Sequence, residues 1–137
     1  MQITEFIPQR EPFLFVDNEF EILDNSIKTY YTFSKNNDFF QGHFPEQPVV
    51  PGVILCEHCF QSAAALMGSQ GKTSGLAVVS RIQTAKFKNM VSIDEKINTQ
   101  TILLERIENA AYFKSVVKNE DQKKVLLIEF ACTLVSS

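Results

Sequence analysis

The stretch from Val53 to Met67, VILCEHCFQSAAALM, contains neither proline nor glycine. It is too long for an ordinary strand, and its alanine-rich end favours helix. Apolar residues recur on nearly every side instead of along one stripe, which predicts a buried central helix wrapped by other elements. Gly68 is expected to end it. The flanks are strand-like. Phe13 to Leu23 and Ile27 to Phe33, interrupted at Asp24-Asn25-Ser26, read as a hairpin, and runs at Leu76–Ile82, Ile97–Ile107, Ala110–Lys118 and Lys124–Leu134 follow the helix. In the last run Leu126, Ile128, Phe130, Cys132 and Leu134 share one face, the pattern of a half-buried antiparallel strand. Strands around one long buried helix predict an α+β architecture, and 137 residues suit one domain spanning positions 1–137.

Before the helix, NNDFFQGHFPEQPVVPG from Asn36 to Gly52 holds three of the five prolines, so it is expected to be a rigid, non-repetitive loop. A net charge of −3 with mostly scattered lysines gives no footprint for a nucleic-acid partner. The N-terminus lacks a basic segment followed by an apolar one, and no run is long and uncharged enough to span a bilayer. A cytoplasmic protein with no membrane partner is the expectation. Cys56, Cys59 and Cys132 all lie among apolar residues, and an odd count does not suit a secreted disulfide framework.

Glu57 is the anomaly of the helix. A carboxylate among valine, isoleucine, leucine, cysteine and phenylalanine pays a desolvation cost unless it is paired or protonated. Gln61, one turn later, is placed on the same face to hydrogen-bond it. A glutamate of this kind serves either catalysis or an oligomer interface. His43, held in the proline-rich loop between Gly42 and Phe44-Pro45, is either a proton acceptor suited to neutral pH or a satisfied polar group. Pro51-Gly52 at the helix start supplies free amides and the positive end of the macrodipole, a site for developing negative charge. A base, a buried carboxylic acid and an oxyanion site are together what is needed to form an enolate from a thioester and expel a β-substituent. Cys56-Glu57-His58-Cys59 has the spacing of a metal or redox motif, but it lies within one apolar helix without a second ligand pair, so no metal is expected. His58 points about 100° away from Glu57 and is expected to be packed or interfacial. Phe39-Phe40 fits either an acyl pocket or the core.

These residues carry a resemblance. NNDFFQGHFPEQPVVPGVILCEHCFQ resembles the active-site segment of FabZ-type 3-hydroxyacyl-ACP dehydratases, NxxFFxGHFPGxPxxPGVLxxEAxxQ. Asn36 or Asn37, Phe39, Phe40, Gly42, His43, Phe44, Pro45, Pro48, Pro51, Gly52, Val53, Glu57 and Gln61 match. IPQREPFLFVD resembles the family's N-terminal LPHRYPFLLVD, and IQTAKFKNMV its later IDxARFRxPV strand. The resemblance implies a hot-dog fold. It also implies dehydration of a 3-hydroxyacyl thioester to the trans-2-enoyl product in fatty-acid or polyketide/polyene-like biosynthesis. His43 would take the α-proton, Glu57 would protonate the leaving hydroxyl, and the Gly52 amide would bind the thioester oxygen. Phe44, Pro51, Val53 and Gln61 would complete the substrate site. No cofactor is implied. The implied partners are an acyl carrier protein or a CoA thioester, together with further copies of the chain as a homodimer or trimer of dimers, each site pairing one subunit's histidine with the other's carboxylate.

Departures from the pattern bear on the substrate. Glu46 stands for a glycine, His58 for a small residue, and NMVSIDE at Asn89 to Glu95 lacks the family turn's prolines and glycine. The rival readings are a hot-dog thioesterase, whose carboxylate would activate water, and a non-catalytic acyl-binding subunit.

Overall fold

The computed structural model describes residues 1–35, 37, 49–71 and 76–135. The strands are β1 (Phe20–Leu23), β2 (Ser26–Thr32), β3 (Leu76–Phe87), β4 (Lys96–Ile107), β5 (Ala110–Lys118) and β6 (Lys124–Val135), and the helix α1 is Gly52–Ser69. All strand pairs are antiparallel, in the order β1-β2-β4-β5-β6-β3. One long helix against one antiparallel sheet is the hot-dog arrangement that the resemblance implied.

Strand periodicity sets the sheet's inner face. On β5, Ala111, Phe113, Ser115 and Val117 are buried, while the residues between them are not. Leu126, Ile128, Phe130 and Cys132 are likewise buried on β6, where the alternation is broken at Ala131, which is buried as well. Leu55, Cys59, Ala63 and Leu66 of α1 complete this core, with the helix resting mainly on β2 and β4. Among the described residues no helix is long and apolar enough to cross a membrane.

The helix is less uniformly apolar toward the sheet than its sequence suggests. His58, Gln61 and Ser62 are all fully buried. Ser62 Oγ donates to His58 O at 2.8 Å, so at the 2.7 Å contact with Thr29 the Thr29 hydroxyl is the donor. Polar contacts therefore tie α1 to β2, where each group is satisfied and the desolvation cost is offset.

Three expectations are corrected. Residues 13–19 do not form the first arm of a hairpin, and β1 begins only at Phe20. The backbone of Phe13 and Phe15 bonds to helix side chains instead of to a neighbouring strand. Gly68 does not end α1, which runs on through Ser69. A Cβ at position 68 would lie 2.2 Å from Phe6 O, so glycine is needed there for close approach to the N-terminal segment. The left-handed residue beyond the helix is Gly71, at φ +68°. β3, finally, extends past Ile82 to Phe87, with register shifts between Val79 and Arg81 and between Ile82 and Thr84. Bulges keep it paired to β6 along a twisting edge.

Candidate active site

The start of α1 is fixed by its neighbours. Val50 N donates to Val91 O at 2.9 Å, and Val49 bridges Ser92. Val91 is fully buried and Asp94 N donates to Phe33 O at 2.7 Å, so the NMVSIDE segment anchors the chain entering the helix. Ile54 and Leu55 make the first bonds, both to Pro51 O, and among the described residues the Gly52 and Val53 amides have no backbone acceptor. A Cβ on Gly52 would stand 2.9 Å from the Phe87 ring. That ring takes the room a side chain would need, so a larger residue at position 52 would have to displace it. Val53 is 75 % exposed.

Val53, Glu57, Phe60 and Ala64 follow one another at helical spacing and form the least covered stripe of α1. Glu57 is half-buried. Burial pushes its carboxyl above the ordinary range, and the hydrogen bond from Gln61 pulls it partly back. Gln61 Nε2 donates to Glu57 Oε2 at 3.0 Å and to Phe13 O at 2.9 Å, while Gln61 Oε1 accepts from Phe15 N at 2.8 Å. The Phe15 N–H can only donate, so the amide has a single workable orientation. Oε2 of Glu57 thus accepts, and a proton on this carboxyl belongs on Oε1.

A cavity of about 310 Å³ opens beside Glu57, between α1 and strands β3 and β6, with Phe60, Ala64, Val79 and Cys132 in its wall. The Phe60 ring meets Phe130 edge to face at 4.9 Å, which holds it as part of that wall. Gln9 also lines the cavity, and its Oε1 is buried without a hydrogen-bond partner among the described residues. Sequence reading missed Gln9; its place in the IPQR segment matched to the family pattern was the available signal. A second hollow, about 370 Å³, lies among Lys28, Tyr30, Lys96, Asn98 and Glu120, with a solvated, charged wall unsuited to an acyl chain.

Of the residues singled out in the sequence, Pro51, Gly52, Val53, Glu57 and Gln61 come together on the first three turns of α1. His43, Phe44 and the Phe39-Phe40 pair lie outside the described residues. His58 is fully buried and points to the sheet. The three cysteines are unpaired and buried. Burial drives the Cys132 thiol up to about 11, with Glu57 adding to the shift, so it stays protonated. Among the described residues no group of three or more His, Cys, Asp or Glu side chains is arranged to hold a metal.

Residues 19–126 match the ApeI-like family, described as ApeI dehydratase. The chain is 38 % identical over 128 residues to the 3-hydroxyacyl-[acyl-carrier-protein] dehydratase FabZ of Rickettsia canadensis, covering 89 % of this chain and 90 % of that protein. It is 35 % identical over 140 residues to FabZ of Ruminiclostridium cellulolyticum, with 96 % and 95 % covered. In three dimensions it is similar to a chain of the dehydratase heterocomplex ApeI:P from Xenorhabdus doucetiae. The TM-score is 0.84 at 12 % identity, covering 100 % of this chain and 93 % of that one. A hypothetical thioesterase protein from Streptococcus pneumoniae shares the fold at TM-score 0.68 and 11 % identity, covering 87 % of this chain and 88 % of that one. With the matched region spanning most of the sequence and close agreement in length with FabZ relatives, the chain belongs to the family of ApeI-like and FabZ-type dehydratases.

Proposed function

We propose that the chain eliminates water from a 3-hydroxyacyl thioester carried on acyl carrier protein, with His43 as base and Glu57 as acid. The observation that carries this reading is Glu57 itself: a half-buried carboxyl, pushed toward its protonated form, beside a mostly apolar cavity and less than two turns from the start of α1. The thioester oxygen sits at the Gly52 amide, where loss of one such donor typically costs ~10²–10³-fold in rate. His43 takes the α-proton, and the electron pair left on C2 forms the C2–C3 double bond. As the C3–O bond breaks, Glu57 gives its Oε1 proton to the departing hydroxyl, which leaves as water. The imidazolium and carboxylate then exchange one proton through solvent to reset the site.

The same reading makes the working unit at least a homodimer. β3 is a twelve-residue edge strand, and Val78, Ile82 and Phe87 on it are all more than 40 % exposed. An unpaired edge strand that exposes apolar side chains among its polar ones is an open template for a second copy. A second subunit there would lie against the stripe that carries Glu57, as a site shared between subunits requires.

A thioesterase would use an ionised Glu57 to activate water, and a raised carboxyl serves a general base as well as a general acid. What favours dehydration is the His43-to-Glu57 motif together with the FabZ relatives. The test is to incubate the purified protein with 3-hydroxyacyl-ACP and 3-hydroxyacyl-CoA series, following enoyl formation and free thiol together. Enoyl product without thiol release, faster on the carrier protein, is expected. Thiol release without enoyl product would make the chain a thioesterase, and neither product would make it an acyl-binding subunit.

A further inference from the structure

His58 is adjacent to Glu57 in sequence, fully buried, and takes no part in the chemistry above. Its Nδ1 lies 2.6 Å from Phe15 O and its Nε2 lies 2.8 Å from Thr99 Oγ1. A carbonyl oxygen can only accept, so Nδ1 carries the hydrogen, and Nε2 then accepts from the Thr99 hydroxyl. The ring is thereby fixed as one neutral tautomer spanning from β4 to the backbone of Phe15. That same Phe15 offers its N–H to Gln61 Oε1 at 2.8 Å, and Gln61 donates to Glu57 Oε2 at 3.0 Å. Residues 13–19 lie outside any strand, and the segment meets β2 where Asp17 N donates to Tyr30 O at 2.9 Å.

We propose that His58 is a positioning residue for Glu57, acting through the Phe15 peptide and Gln61 to hold the carboxyl in the orientation from which it protonates the leaving hydroxyl. The inference rests on Glu57 being the acid. Hydrogen bonds join Thr99 to His58 and His58 to Phe15 O, and Phe15 N to Gln61 and Gln61 to Glu57, the covalent backbone of Phe15 linking the two sets from the sheet interior to the cavity wall. Loosening Phe15 takes away one of the two backbone bonds that orient Gln61, leaving only that to Phe13 O, and a less firmly held Gln61 favours the carboxylate form of Glu57 less. Among the described residues, the titratable groups coupled to Glu57 are the thiols of Cys56 on its own helix and Cys132 on β6. Burial raises both, so neither changes charge in the range where Glu57 does. His58, driven down to about 4 by burial, is likewise neutral there.

Two conservative variants separate positioning from packing. His58→Asn puts an amide N–H where Nδ1 stands and keeps the tie to Phe15. His58→Gln reaches the place of Nε2, keeps the contact with Thr99 and loses Phe15. In His58→Gln we expect kcat to fall by ~10-fold with KM within about twofold, and the alkaline limb of the kcat profile to move up in pH. The titration of Glu57, followed by carbon-13 NMR and assigned with Glu57→Gln, should move up in pH with it. His58→Asn should stay close to wild type in both readouts. A packing role alone would lower thermal stability in both variants and leave the Glu57 titration in place; that result, or equal shifts in the two, would overturn the proposal. If His58→Gln does not fold, His58→Ala also removes the Phe15 tie and must shift Glu57 upward, or the proposal fails. Wild-type turnover in Glu57→Gln would instead overturn the acid assignment, and the NMR titration tests the positioning independently of it.

Discussion

Gln61 donates a side-chain amide hydrogen to Glu57 Oε2 at 3.0 Å, from a position where burial leaves it no access to water. Its remaining bonds go to the backbone of Phe13 and Phe15, so one amide serves the carboxyl and the N-terminal segment together. Gln61→Met should therefore fail twice. Stripping partners from buried Phe15 N–H and from Phe13 O should cost roughly 2–4 kcal/mol of stability. The dehydration rate should fall ~10-fold or more as Glu57 loses its orientation. Urea unfolding and turnover, measured on the same sample, check both; a variant with wild-type stability would mean that these bonds are not made in solution.

His58 makes stability depend on pH. Its folded-state value is depressed from 6.5 to about 4 by burial, so the unfolded chain binds a proton that the folded chain refuses. The contribution is complete above about pH 6.5 and is lost as pH falls to about 4, on the order of 3 kcal/mol over that window. His58→Asn, which cannot titrate, should flatten this part of the profile. Chemical denaturation at several pH values gives the slope, and an equal slope in both proteins would contradict the buried neutral state of His58.

The two glycines at the end of α1 should respond unequally to alanine. At Gly68 the new methyl meets backbone oxygen of Phe6, which has no room to retreat, and a loss of roughly 2–4 kcal/mol is expected. At Gly71 nothing lies within 4 Å, and only the left-handed backbone opposes the change, costing about 1 kcal/mol. Thermal melts of the two variants check the order, which reverses if α1 ends at Gly68.

Edge pairing through β3 predicts that Ile82→Glu, which replaces an exposed apolar side chain on that edge strand with a charge, converts the assembly to monomer. It should also abolish turnover, since the shared site needs both copies. Sedimentation velocity alongside the dehydration assay tests this; an active monomer would remove the shared-site account.

Much of the fold is visible in the sequence because its signals are local. The uninterrupted run from Val53 to Met67 marks the helix, and alternation at Leu126, Ile128, Phe130 and Cys132 marks β6 within a residue of its observed ends. Misreadings arose where distant contacts decide. Phe13 to Val16 has strand composition, yet its backbone is engaged by Gln61 and His58, more than forty residues away. Gly68 reads as a terminator until Phe6 is seen packed against it. For the site, the Glu57 anomaly and its spacing to Gln61 are legible, because an i,i+4 pair needs only a helix. The polar ties of His58 to Thr99 and Phe15, and the presence of Gln9 in the cavity wall, depend on chain crossings that no local pattern encodes.

The central claim is that Glu57 donates the proton that lets hydroxide leave as water. It is tested most directly by the steady-state turnover of wild type and Glu57→Gln on 3-hydroxyacyl-ACP, with folding checked by circular dichroism. The amide keeps the shape and a hydrogen-bond donor but cannot give up a proton to the leaving group, so turnover should fall at least ~100-fold. A folded Glu57→Gln protein that dehydrates at near the wild-type rate would contradict the account.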